Sequence, residues 1–162
     1  MVAALRPNAF RLAGQVADGA ISWVCPMPYI RDVAAPAMRD GAANAGRPTP
    51  PLVAHVPVVV STDRHAVRAA ALKQLATYPR LPFYSQMFQD AGFPEAAHGE
   101  FSDAMVDALV ISGSASEVSQ RVRGLADLGA NEIIATVVNP DGDTTARERT
   151  MAVLGELARA DG

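Results

Sequence analysis

The stretch RLAGQVADGAISWVCP, Arg11 to Pro26, joins two periodicities with almost nothing between them. Small residues recur on one face of a helical run, at Ala13, Gly14 and Ala17. Asp18-Gly19 then breaks the run, and AISWVC, Ala20 to Cys25, reads as a buried strand. A helix delivered so abruptly into an apolar strand is the αβ join of a unit in which parallel strands are linked through helices with right-handed crossovers.

Working outward, the same arrangement recurs at four apolar runs. VAAL, Val2 to Leu5, precedes a helix with Asn8 as N-cap and Phe10, Ala13, Val16 and Ala17 at apolar positions. AISWVC leads into a helix carrying Ile30, Val33, Ala34, Ala37 and Met38, expected to kink at Pro36 and stop near Gly46. VAHVPVVVS, Val53 to Ser61, is followed by a helix capped by Asp63, with Val67, Ala71 and Leu75 inward, that ends before Pro79. The fourth run, EIIATVV, Glu132 to Val138, follows a helix opened by a capping box, Ser114 with Glu117. Val118, Val122, Leu125 and Ala126 form that helix's buried face and Gly129 its C-cap. A last helix opens at Asp143 with Met151, Leu154, Leu157 and Ala158 inward. Residues 79–113 form an insertion with helical patterns around Tyr84 to Asp90 and Phe101 to Leu109, and RPTPPL, Arg47 to Leu52, is a stiff connector.

Continuously apolar strands are buried on both faces, so the fold class is α/β with a parallel sheet. An open doubly wound sheet and a (β/α) barrel both satisfy that pattern. No G-x-G-x-x-G follows the first strand, which favours the barrel.

Composition sets the outer limits. The 162 residues suffice for one domain with a sizeable core, here a single domain over residues 1–162, and 49% hydrophobic with only 6% aromatic content makes that core one of Ala, Val, Leu and Ile. With 14 basic and 17 acidic residues there is no basic block for nucleic acid. Cys25 stands alone, which excludes an internal disulfide and a cysteine metal cluster; no signal-peptide core or apolar run of membrane-spanning length occurs. A cytoplasmic chain without a membrane role is expected.

Few residues invite a chemical role. His55 lies in a strand and is expected to be packed, while His65 and His98 lie on a first helical turn and in the insertion; none has metal-ligand spacing, so no metal is expected. Cys25 reads as a small buried residue, and Ser112-Gly113-Ser114 is explained by the capping box. Tyr78, Phe83, Tyr84, Met87 and Phe88 read as a packing or lid cluster. No acid and base pair stands out, so no catalytic residue is assigned.

The run AALRPNAFRLAGQVADGAISWV resembles the middle of the bacterial luciferase-like oxidoreductases, whose members often read A-A-L-G-P, then a helix containing L-A-G, then A-D-G and an apolar strand. AGRP at Ala45 to Pro48, VPVVVSTDRHAVRAAA, YPRLPFY and SGSASEVSQRVRGLADLGANEIIA follow in the family's order, with the actinobacterial members that use coenzyme F420 nearest in character. The resemblance implies the C-terminal half of a (β/α)8 TIM barrel, about four parallel strands with flanking helices and a helical insertion, since it begins at the family's fifth strand and a whole barrel needs about 250 residues. It implies coenzyme F420, or alternatively FMN, and redox chemistry on a small organic substrate. The turn Leu5-Arg6-Pro7 and the segment Trp23-Val24-Cys25 fall on family positions that cradle the cofactor's phosphate tail. Arg6 stands where glycine is common and supplies a cation instead of close backbone approach. Open edges at Val2 to Leu5 and Glu132 to Val138, with an uncovered apolar inner face, predict association with a second copy or a complementary half. An inactive half-barrel remnant is the alternative, and a first strand that begins at the second residue leaves room for a longer native chain.

Overall fold

Nine consecutive buried residues, Leu52–Val60, form the strand on which the sheet is assembled. The computed structural model describes residues 1–160. Its strands are β1 (Val2–Ala4), β2 (Ala20–Ser22), β3 (Leu52–Val60), β4 (Ile111–Gly113) and β5 (Glu132–Val137), and every pairing between them is parallel. Val58 pairs with both Ile111 and Val137, so β4 and β5 lie on opposite edges of β3; β4 continues the edge that β2 occupies at Leu52–Ala54. Among the described residues β1 pairs only with β2 and β5 only with β3, which leaves both outer edges open.

Proline is rare in a central strand because it cannot donate to the ladder. Leu52 and Val58 accept from Asn131 and Val138 on the β5 side, so the alternate residue Pro57 turns its missing N–H to the other edge. That edge has no ladder partner at Pro57, between the end of β2 and the start of β4.

The helices are α1 (Pro7–Val16), α2 (Met27–Tyr29), α3 (Ala35–Asn44), α4 (Arg64–Leu75), α5 (Pro82–Asp90), α6 (Asp103–Leu109), α7 (Ala115–Arg123) and α8 (Ala146–Ala160). A π turn, Ile30–Ala34, joins α2 to α3, with the Ala35 amide bonded to the Ile30 carbonyl. This is the distortion expected at Pro36: a residue that cannot donate makes a widened turn ahead of it inexpensive. α1 and α3 cross with glycine against backbone, Gly14 over the Met38 carbonyl and Gly41 over the Arg11 carbonyl.

The two faces of the sheet differ in cover. Ala4, Ala20, Leu52, Ala54, Val56 and Val58 share one face and belong to the main apolar core. On the other, Ala3 is exposed, Ile134 is 37% exposed, and Ile21 and Thr136 are half-buried. The second face is the one a closed barrel turns inward.

Several expectations about the elements need correction. AISWVC is a strand only through Ser22. α1 begins at Pro7 with Arg6 in the cap position, and the Asn8 side chain accepts from Arg11 instead of capping. α7 has the expected capping box, but it stops at Arg123, ahead of Gly129, and Ala126 is exposed. Asp63 caps α4 as read. α8 starts at Ala146, three residues after Asp143, and buries Ala146, Thr150, Val153 and Leu157; Met151 and Ala158 face solvent and Leu154 is half-buried. Phe83 stands apart from its expected cluster, 74% exposed, while Met87 and Phe88 are fully buried.

Thr150 explains the rotation of α8. Its hydroxyl donates to the Ala146 carbonyl at 2.6 Å and accepts the Val60 amide at 2.9 Å, closing the end of β3. Thr150→Val keeps the shape but strands a buried amide. We expect a loss of about 1–3 kcal/mol, read as a lower urea midpoint at unchanged slope; an unshifted midpoint would mean that water replaces the hydroxyl.

Candidate functional site

Register places the expected cofactor corner. Ala4 pairs with Ser22 and Ser22 with Ala54, so Leu5, Trp23 and His55 stand at one height where β1 and β2 end. Ligands of parallel barrels are held at this end of the strands. The Tyr29 hydroxyl donates to the Leu5 carbonyl at 3.2 Å and ties the two turns together. Burial raises the Tyr29 phenol well above its ordinary range, with the Asp90 carboxylate adding to the effect. It therefore stays a donor.

The segment Trp23-Val24-Cys25 is a turn of unusual conformation. Val24 has φ 53°, the left-handed region that a β-branched side chain rarely adopts, and is fully buried. Its amide donates to His55 Nδ1 at 3.3 Å. The imidazole is stacked on the Trp23 indole, centroids 3.8 Å apart and planes 19° from parallel. His55 Nε2 meets Thr136 Oγ1 at 2.9 Å. An acceptor at Nδ1 leaves the proton on Nε2, donating to Thr136. Burial pushes the His55 pKa down to about 4, so the ring is neutral at physiological pH. Trp23 Nε1 in turn donates to the Tyr78 hydroxyl at 2.9 Å, linking the turn to the segment after α4.

Arg6 closes the other side of the corner. Its guanidinium pairs with Asp90 at the end of α5 at 3.0 Å, while Arg6 Nε is buried without a partner among the described residues. Pro7 has no amide to offer, and the Ala9 and Phe10 amides return to the Arg6 carbonyl. Cys25 is buried and burial pushes its thiol up to about 12, which rules out a thiolate nucleophile at neutral pH. Both His55 nitrogens are occupied. The arrangement can hold and orient a ligand but offers no acid and base pair.

All five residues expected here, Leu5, Arg6, Trp23, Val24 and Cys25, are adjacent. His55, read as packed, is indeed 2% exposed, yet it organises this corner together with Thr136, which the sequence reading did not single out. A histidine within a nine-residue apolar strand was the available signal. His65 and His98 are exposed. Among the described residues no group of His, Cys, Asp and Glu could hold a metal ion, and no helix is long and apolar enough to cross a membrane.

Comparison with known proteins agrees with the geometry. The profile of the luciferase-like monooxygenase family matches residues 1–132. No curated protein matches the chain in sequence. Among solved structures, an F420-dependent secondary alcohol dehydrogenase in complex with an F420-acetone adduct superposes with a TM-score of 0.66 at 18% identity, over 86% of this chain and 43% of that one. The coenzyme F420 dependent tetrahydromethanopterin reductase from Methanopyrus kandleri gives 0.58 at 16% identity, over 95% of this chain and 48% of that one. The oxygenating constituent of 3,6-diketocamphane monooxygenase from Pseudomonas putida, in complex with FMN, gives 0.60 at 14% identity, over 94% and 45%. The chain thus spans less than half the length of each of these structures. With a parallel α/β sheet and a family match over most of its length, the chain belongs to the luciferase-like monooxygenase family.

Proposed function

We propose that the chain is the cofactor-side, C-terminal half of a luciferase-like oxidoreductase that uses coenzyme F420, or alternatively FMN, to oxidise or reduce a small organic substrate. The observation that carries this reading is Arg6: a cation at the strand end where the family holds a phosphate tail, with a buried Nε that has no partner among the described residues. An orphaned donor of this kind is costly unless a ligand or water completes it. Arg6 would hold the phosphate, with the Leu5 turn and the Trp23-Val24-Cys25 turn forming the walls. Bound there, the cofactor would supply the electron chemistry, and the protein positions it and excludes water.

The chain's own residues account for positioning only. The face bearing Ala3, Ile21 and Ile134 is only partly covered, and among the described residues β1 and β5 are unpaired on their outer sides. A complementary half, from a second copy or another polypeptide, would supply both that cover and the missing part of the substrate pocket.

Arg6→Gln tests the reading, because it removes the cation without setting a second carboxylate against Asp90. Titration of the chain with F420 and then FMN, followed by cofactor fluorescence, should give saturable binding that this substitution weakens about tenfold, the scale of one charge-assisted hydrogen bond. Binding of neither cofactor would favour the second reading, an inactive half-barrel remnant. Two features support that second reading: Arg6 is already paired with Asp90, and at the start of α1 Pro7 has no amide while those of Ala9 and Phe10 bond to the Arg6 carbonyl.

A further inference from the structure

The left-handed Val24 is the least expected backbone feature of the molecule. A valine there is strained, and it persists only where its surroundings determine it. The surroundings are specific. Val24 is the residue after the one that stacks on His55, its amide ends on His55 Nδ1, and the far side of the ring is fixed by Thr136 of β5. Three strands therefore meet in one imidazole, at the height where the cofactor corner opens.

We propose that His55 is the positioning residue of this corner: as the Nε2–H tautomer it holds Val24 in the left-handed conformation and sets the Trp23 indole as the inner wall of the ligand site. His55 acts through the turn and touches no reacting atom. The proposal rests on the cofactor reading for its functional consequence, but the clamp itself is a property of the free chain.

Each element of the clamp has its own substitution. His55→Leu removes the acceptor while keeping an apolar side chain of similar size. His55→Asn returns an acceptor close to the Nδ1 position without the stacking surface. Val24→Gly removes the steric penalty of φ 53°, so a turn carrying it no longer needs the imidazole.

Trp23 is the only tryptophan in the chain, and its emission reports the turn directly. In the 162-residue chain, we expect His55→Leu to shift the Trp23 emission and raise its acrylamide quenching, and to weaken F420 or FMN binding at least tenfold. His55→Asn should recover part of the binding, and Val24→Gly placed in the His55→Leu background should recover most of it. A purely structural role predicts instead that binding follows overall stability across the set, with no rescue by glycine. Unchanged emission and binding in a folded His55→Leu chain, or a double variant no better than the single one, would overturn the proposal. Should the unsubstituted chain bind neither cofactor, the cofactor reading fails alone, and the emission and quenching of Trp23 in the four proteins still decide whether His55 holds the turn.

Discussion

Gly41→Ala should lower the thermal midpoint by about 4–8 °C, corresponding to a net loss of about 2 kcal/mol at ~2–4 °C per kcal/mol for a chain of this size. A methyl group at Gly41 would overlap the carbonyl oxygen of Arg11, and one at Gly14 would overlap the carbonyl of Met38 and lie 2.9 Å from the Ala42 nitrogen. Both obstacles are backbone in regular helices, so neither can rotate away, and α1 and α3 must move apart. Helix propensity works in the opposite direction: alanine improves on glycine by roughly 1 kcal/mol in a helix interior. The overpacking cost falls at the top of the usual range, about 3 kcal/mol, because the obstacle is backbone, and so exceeds that gain. Gly155 is the internal control. It also lies within a helix, α8, but its added methyl group would meet nothing nearer than Arg159 Nη1 at 3.8 Å. Gly155→Ala should therefore stabilise the protein by about 0.5–1 kcal/mol. Calorimetry on the two variants separates packing from propensity, and a like-signed pair of shifts would refute the close crossing.

Only the α1 side of that crossing was visible in the sequence, where Ala13, Gly14 and Ala17 mark a small-residue face. So were the Ser114 and Glu117 capping box and the Asp63 cap, because each depends on residues three apart in one turn. The features missed depend on distant register. Trp23, Val24 and Cys25 have strand-forming side chains and were read as strand, and no local signal marks a valine that will turn left-handed. What bends the chain there is His55, 31 residues further on, placed beside it by the β2 and β3 pairing. The inward face of α8 was misjudged for a similar reason. Thr150 counts as polar in a periodicity argument, yet its hydroxyl is consumed by Val60 and Ala146, and the helix turns accordingly. β4 escaped detection because Ile111–Gly113 runs into a capping box whose signal was read instead. Of the candidate site, residue positions at the strand ends followed from the family resemblance, whereas their geometry required the fold.

Acidification should weaken the folded state through His55 before most carboxylates respond. The imidazole is buried and its pKa is pushed from 6.5 down to about 4, so the unfolded chain binds a proton over a pH range in which the folded chain does not. Stability from the neutral ring is accordingly complete above pH 6.5, declines as the pH falls towards 4, and changes no further below it. The window's full width would correspond to about 3 kcal/mol at ~1.36 kcal/mol per pH unit, and water reaching the ring in local openings reduces this to about 2 kcal/mol between pH 7 and 4.5. The hydrogen-bond partners of the ring are an amide and a hydroxyl, with an indole stacked on its face, so among the described residues no carboxylate is positioned to hold the imidazolium once it forms. Protonation would also place a donor at Nδ1 against the Val24 amide. Glu117 and Asp143, whose carboxyls are held below their ordinary range by the Ser114 and Arg149 hydrogen bonds respectively, lose their contributions as the pH falls below about 4.5. His55→Asn retains those carboxylates and lacks the titrating ring. Urea unfolding of both proteins from pH 7 to 4.5 should thus show a steeper decline for the unsubstituted chain by about 2 kcal/mol, with the Trp23 emission changing over the same range; parallel declines would mean that the imidazole is solvated and that Val24 is held in its conformation by packing alone.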